Sequence, residues 1–218
     1  MAEPIVFAFD YISPYAYIGW TQIHALAGKY GRDVEPMPVV FGALLKHGGM
    51  KGPAEVPAKR AYLGKDTLRT ARVLGIPFAP PPTHPFNPLL ALRLSSLPMP
   101  ATERRRVIDA LFRASWGGGA GCETPDAVSA ALAAAGIDGA PLLAAATGDA
   151  PKATLRAATE RAIALGVFGV PTMIADGELF WGYDSFGHLE RLLGGGDPLR
   201  PEDLEALAKL TPSIVRRT

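Results

Sequence analysis

The chain has 218 residues, 48% hydrophobic and 20% charged, with 22 Lys+Arg against 21 Asp+Glu and a formal net charge of +1. That balance leaves no electrostatic footprint for nonspecific nucleic-acid or membrane-surface binding. The apolar content excludes a disordered chain, and the single cysteine excludes an internal disulfide.

Met1-Ala2-Glu3-Pro4 has no basic n-region, and the apolar run Ile5 to Phe9 is shorter than the roughly 7–15 residues of a signal h-region. That run is β-branched and aromatic, ends at Asp10, and reads as a buried strand. Ser13-Pro14 has the chemistry of a helix start, because serine caps orphan N–H groups and proline is tolerated at the first helical position. Tyr17, Trp20, Ile23, His24 and Ala27 keep three- and four-residue spacing, which predicts a helix to about Tyr30, stopped by Gly31. Val34 to Phe41 reads as a second strand, with Pro36 and Pro38 placing it at an edge. Strand, helix, strand in this order is a βαβ unit with a parallel pair.

From Gly42 to about Leu165 the character changes. Gly48-Gly49 and Gly52-Pro53 mark a loop, and helical patterns follow at 57–74, 88–97, 102–115, 125–135 and 153–165. Ala127 to Ala146 is broken by Gly136, Asp138, Gly139 and Pro141 and falls short of the roughly 20 apolar residues of a membrane helix. The expectation is a soluble, cytoplasmic protein without nucleic-acid or membrane partners. After Gly166 the pattern returns to β: Pro171 to Ala175 and Glu178 to Trp181 flank Asp176-Gly177, a tight hairpin signal. Asp184-Ser185 is expected to cap a last helix through Leu193, and 201–210 to form a short surface helix. The order predicts one α/β sheet domain, 1–41 with 153–218, split by an all-helical insertion over 42–152. A cleft between the two is a usual place for a small-molecule site.

Two segments carry candidate chemistry. Ser13 at a helix N-terminus sits among unpaired N–H groups near the positive end of the macrodipole, a setting that favours an adjacent anion such as a thiolate; on local sequence alone a plain helix cap is the favoured reading, since Ser-Pro is a common helix start. Val170-Pro171 enters a strand, where proline marks an edge or a cis bond. A cis bond would turn the Val170 backbone toward the cleft, where it could pair with an extended peptide-like ligand. His24, His47, His84 and His188 have no metal-ligand spacing, so no metal is expected. Cys122, after a glycine run, reads as a bystander thiol, and Arg216-Arg217 as solvated charge.

A helix starting after the first strand, followed much later by Val-Pro-Thr entering another, resembles the thioredoxin fold, and the helical insertion resembles its DsbA-like branch. Redox members begin that helix with Cys-x-x-Cys, whereas this chain has Ser13-Pro14-Tyr15-Ala16. Disulfide exchange needs an attacking thiolate, so such redox activity is not expected. The serine-bearing version is the kappa-class glutathione transferase group, which includes the 2-hydroxychromene-2-carboxylate isomerases. The resemblance rests on Phe9-Asp-Tyr-Ile-Ser13-Pro14-Tyr15, Pro57-Ala-Lys59-Arg60-Ala-Tyr62, Gly75-Ile-Pro77-Phe78, Phe86-Asn87 through Leu92-Arg93, Gly169-Val-Pro171-Thr172 and Phe180-Trp-Gly182-Tyr-Asp184. Lys-Arg-x-Tyr and Asn-x-Leu-x-Ala-Leu-Arg are closer to the isomerases than to the mammalian-type transferases.

The resemblance implies glutathione as cofactor, an aromatic small-molecule substrate from aromatic catabolism, and a dimer in common with relatives. It makes Ser13 the residue that hydrogen-bonds the glutathione sulfur and Val170, with Pro171, the backbone partner of its cysteinyl part. Tyr183 and Asp184 would hold the γ-glutamyl end, and Lys59 would face the glycyl carboxylate. The alternatives for Lys59 and Asp184 are a surface ion pair and a helix cap. Met50 stands where related transferases have a glycyl-contacting asparagine, and Tyr183 where a smaller polar residue is usual. The expected activity is glutathione-dependent isomerisation; a conjugating transferase and a non-catalytic glutathione- or peptide-binding protein are the alternatives.

Overall fold

The computed structural model describes residues 2–211. Four strands, β1 (Ile5–Phe9), β2 (Val34–Pro38), β3 (Thr172–Ala175) and β4 (Glu178–Trp181), form one mixed sheet in the order β2-β1-β3-β4. β1 runs parallel to β2 and antiparallel to β3, and β3 to β4. Pro36 and Pro38 lie in β2, an edge strand where a missing N–H costs no ladder bond on the open side. Asp176 and Gly177 both have positive φ (51° and 85°), which makes the two-residue turn between β3 and β4 one whose twist matches the strands.

Between β2 and β3 lie α2 (Phe41–His47), α3 (Pro57–Leu74), α4 (Leu89–Ser95), α5 (Ala101–Trp116), α6 (Pro125–Ala134), α7 (Gly139–Ala146) and α8 (Asp149–Ala164). α1 (Pro14–Lys29) joins β1 to β2, while α9 (Phe186–Leu193) and α10 (Pro201–Ala208) follow the sheet. This is the thioredoxin-like arrangement with a helical insertion. None of the described helices is long and apolar enough to cross a membrane.

β1 is buried throughout, and its alternating side chains feed two cores. Ile5, Phe7 and Phe9 join α1, α9 and the inserted helices in one cluster, in which the rings of Phe9, Tyr11, Trp20 and Phe112 pack tilted or edge-on at centroid distances of 4.7 to 6.2 Å. Val6 and Ala8 face the other side, against Met37, Val39 and Leu44 and against Ala162 of α8. The insertion is thus welded to the sheet by aromatic packing on one face.

Several boundaries differ from the sequence reading. The second strand ends at Pro38, and Phe41 begins α2 instead, because its N–H is taken by the Asp10 carboxylate at 2.9 Å. α7 falls within a stretch read as a break; Asp138 caps it by accepting from the Ala140 N–H. The last inserted helix begins at Asp149, four residues before the predicted start, so it crosses the predicted boundary at 152/153. Ser185 stands at the N-cap position of α9, as expected, but its hydroxyl donates to Gly182 C=O at 2.8 Å and makes no cap bond; Asp184 and Ser185 lie in a 3-10 turn, Tyr183–Ser185. The Arg216-Arg217 pair lies outside the described residues.

Candidate functional site

Sheet topology brings three distant segments to one end. β1 leads into Asp10–Ser13 at its C-terminal end; the antiparallel register Ala8↔Thr172 puts the start of β3 there, and Thr172↔Trp181 puts the end of β4 beside it. Ser13, Val170-Pro171 and Tyr183-Asp184 therefore converge, although they span most of the chain. A hydrogen bond from Gly182 N–H to Pro171 C=O (2.9 Å) extends the β3–β4 ladder to the proline, and Thr172 Oγ1 donates to Gly169 C=O at 2.8 Å. The Val170–Pro171 peptide is cis.

Ser13 caps α1. Its Oγ accepts the Ala16 N–H at 3.2 Å and donates to Val170 C=O, also at 3.2 Å. The second distance is long for an O–H···O bond, for which about 2.7–2.8 Å is usual, so the hydroxyl can turn to a better acceptor at little cost. Both residues are 8% exposed. The Val170 N–H makes no hydrogen bond among the described residues. Direct contact thus joins Ser13 and Val170, with Pro171 packed between Val170 and the α1 turn at Gly19.

The loop carrying Ser13 is held from below and from one side. Asp10, 1% exposed, accepts from the Ile12 N–H (3.1 Å) and the Phe41 N–H (2.9 Å). Burial pushes its carboxyl up to about 7, against the opposing pull of those two N–H groups. Trp116 Nε1 donates to Tyr11 C=O at 2.7 Å, and His84 Nε2 lies 3.0 Å from Ile12 C=O, which makes it the protonated ring nitrogen. Burial lowers the His84 pKa, and nearby Arg60 lowers it further.

Asp184 is exposed, and Lys59 is exposed; neither joins an ion pair among the described residues. Asp184 lies close enough to Tyr15, two residues after Ser13, to raise its phenol pKa, behind burial and the larger effect of Asp66. Lys59 does not touch Ser13 directly. It sits on α3, which meets α1 where Tyr15 Oη donates to Asp66 Oδ2 at 2.6 Å. Tyr62 Oη donates to Asp66 Oδ1 at 3.2 Å, so Lys59, Tyr62 and Asp66 share one face of α3. Tyr183 is half-buried with its ring 5.0 Å from Phe186, and Met50 is 41% exposed.

The sequence alone assigns no role to Asp10, His84, Trp116, Tyr15 or Asp66. Asp10 and Tyr15 lay inside a motif already singled out; the other three act through contacts 51 to 105 residues away that no local pattern encodes. Cys122, 0% exposed, accepts from Ser115 Oγ at 3.0 Å, and burial pushes its thiol up to about 12. Among the described residues no cluster of His, Cys, Asp or Glu could hold a metal ion.

The chain matches the DSBA-like thioredoxin domain over residues 4–194. It is 27% identical over 195 residues to a 2-hydroxychromene-2-carboxylate isomerase of Sphingobium xenophagum, covering 88% of this chain and 99% of that one. A shorter stretch of 79 residues is 38% identical to glutathione S-transferase kappa 1 of Caenorhabditis elegans, spanning 36% of this chain and 35% of that relative's length. In fold, the structure is similar to that of a 2-hydroxychromene-2-carboxylate isomerase, with a TM-score of 0.80 at 23% identity, covering 95% of this chain and 99% of the other.

Proposed function

Because the chain belongs to the DSBA-like thioredoxin family yet begins its site helix with a serine, we propose that it is a glutathione-dependent cis–trans isomerase. Its substrate would be 2-hydroxychromene-2-carboxylate or a related aromatic-catabolism compound, and its product trans-o-hydroxybenzylidenepyruvate or the corresponding alkene. The observation that carries this reading is the pairing of a Ser13 hydroxyl at the N-terminus of α1 with a single cysteine buried elsewhere. A reactive sulfur at this site has to arrive from outside the chain. The relative 27% identical over most of the chain, which bears the isomerase name, supports the same activity.

The residues fit a zwitterionic tripeptide. An unengaged backbone N–H at Val170 suits an extended peptide, the Asp184 carboxylate suits an ammonium, and the Lys59 amine suits a terminal carboxylate. Glutathione would supply a thiolate that adds reversibly to a conjugated double bond, which makes the bond rotatable before elimination restores it. Ser13 Oγ would turn its proton from Val170 C=O toward the sulfur, and the positive end of α1 would favour the anionic form. That turn releases Val170 C=O to accept a ligand N–H. Tyr183 would line the site beside Asp184 and narrow the space left for the aromatic substrate.

Purified protein incubated with 2-hydroxychromene-2-carboxylate is expected to isomerise it only when glutathione is present. Isomerisation indifferent to glutathione overturns the mechanism. The local match to the kappa relative supports a second reading, a conjugating transferase; accumulation of a glutathione conjugate in place of the isomer selects it.

A further inference from the structure

The first half of α3 is weakly anchored. From Pro57 to Asp66 no side chain is buried; Thr67 and Ala71 are the helix's buried residues, both in its second half. Gly64 interrupts this half with a poor helix former, and the segment leading into it contains Gly48, Gly49 and Gly52. What ties this half to the rest of the molecule is Asp66. One of its carboxylate oxygens accepts the Tyr15 phenol at 2.6 Å, and the other accepts the Tyr62 phenol at 3.2 Å. No ion pair among the described residues competes for that carboxylate. Tyr15 belongs to the first turn of α1, two residues after Ser13. Lys59 lies seven residues before Asp66 on the same face, about 10 Å along the helix axis. On the functional reading above, a tilt of the helix about its buried second half would carry the amine away from the ligand carboxylate.

We propose that Asp66, through its hydrogen bond with Tyr15, is a positioning residue that docks the first half of α3 onto the Ser13 helix and thereby sets the affinity for glutathione. This rests on the functional reading above for the identity of the ligand, but not for the docking itself. The Tyr15 phenol stays a donor across the working pH range, since burial and then the Asp66 carboxylate hold its pKa well above ordinary values. A charged acceptor makes this bond stronger than a neutral one.

The test is a double-mutant cycle on Tyr15→Phe and Asp66→Ala, with Asp66→Asn as the conservative variant. Glutathione binding is measured by titration calorimetry, turnover by the isomerase assay, and backbone mobility by amide hydrogen exchange without ligand. Each single change is expected to weaken glutathione binding about ten- to a hundredfold, in line with loss of one hydrogen bond to a charged group. The double variant is expected to bind no more weakly than either single one. Rates at saturating glutathione stay within about twofold, and Asp66→Asn, whose neutral amide oxygen still accepts the phenol, recovers part of the lost affinity and binds between the wild type and Asp66→Ala. Amides in the first half of α3 exchange faster in Tyr15→Phe, while those of α5 are unchanged. Additive losses, or a fall in saturated rate with unchanged affinity, overturn the proposal. A wild-type chain that ignores glutathione overturns the affinity half together with the functional reading; unchanged exchange in α3 overturns the docking. The two failures are therefore distinguishable.

Discussion

Replacing Asp10 by asparagine probes the buried carboxyl beneath the Ser13 loop. In the folded chain that carboxyl sits at about 7 against an ordinary 3.8, with burial outweighing the two backbone N–H groups that favour its charged form. The folded value lies above the unfolded one. The stability this group confers is therefore complete below about pH 3.8 and is lost as pH rises through about 7. The full amplitude is on the order of 4 kcal/mol, of which about 3 kcal/mol falls between pH 5 and pH 8. For a chain of this size each kcal/mol moves Tm by roughly 2–4 °C, so the wild type is expected to lose about 6–12 °C across that interval relative to Asp10→Asn. The comparison must be between the two proteins. Half-buried His24, lowered to about 4, and half-buried His84, also lowered, contribute with the opposite sign, but they do so in both. The asparagine oxygen satisfies one backbone N–H and its amide group abuts the other, so the variant starts lower, by about 1–3 kcal/mol. Thermal unfolding followed by circular dichroism at closely spaced pH values reads both effects. Parallel Tm profiles for the two proteins would refute the reasoning.

Three further outcomes follow from the same geometry. Ser13→Ala should lose turnover on the order of a hundredfold, as deletion of a single anion-stabilising donor does, while losing only about 1 kcal/mol of stability with its cap; an unchanged rate in a folded variant removes Ser13 from the mechanism. Cys122, with its thiol near 12 and no exposed surface, should react with iodoacetamide only on unfolding, and Cys122→Ala should keep full activity; rapid labelling of the native chain would contradict its burial. Gly169→Ala would drive a methyl group into the indole of Trp181, which packs at a tilt against Phe168 with centroids 5.0 Å apart, so that ring must move and tryptophan emission should shift. Unchanged emission would refute the close approach of Gly169 to the indole.

The sheet was legible in the sequence because its signals are local. Ile5 to Phe9 has no competing pattern, Pro36 and Pro38 announce an edge, and Asp176-Gly177 specifies a hairpin turn. Ser13 and Val170-Pro171 were legible for the same reason: a cap and a strand-entering proline each follow from two or three neighbouring residues. That Ser13 donates to Val170 was not, since it depends on two strands pairing across the whole insertion. α2 was hidden because its start is set by a side chain from β1 and not by a capping residue of its own. Lys59 shows the limit most clearly. Its helix meets the Ser13 helix where Asp66 accepts the Tyr15 phenol, a tertiary bond with no local pattern.

The convergence of three segments at one end of the sheet also has a kinetic meaning. Val6 pairs with Ile174, so the central strand pairing closes a loop of roughly 170 residues, and such nonlocal closure is a slow step in folding. The helical insertion can pack early from local contacts. Ser13 meets Val170 only once β3 has docked, and Asp184 follows with the hairpin. During synthesis, a chain released before residue 184 would carry nearly all of its helices and none of its finished cleft. Recovered activity in a refolding experiment would thus report the last long-range event in the fold, after most of the helical signal has already returned.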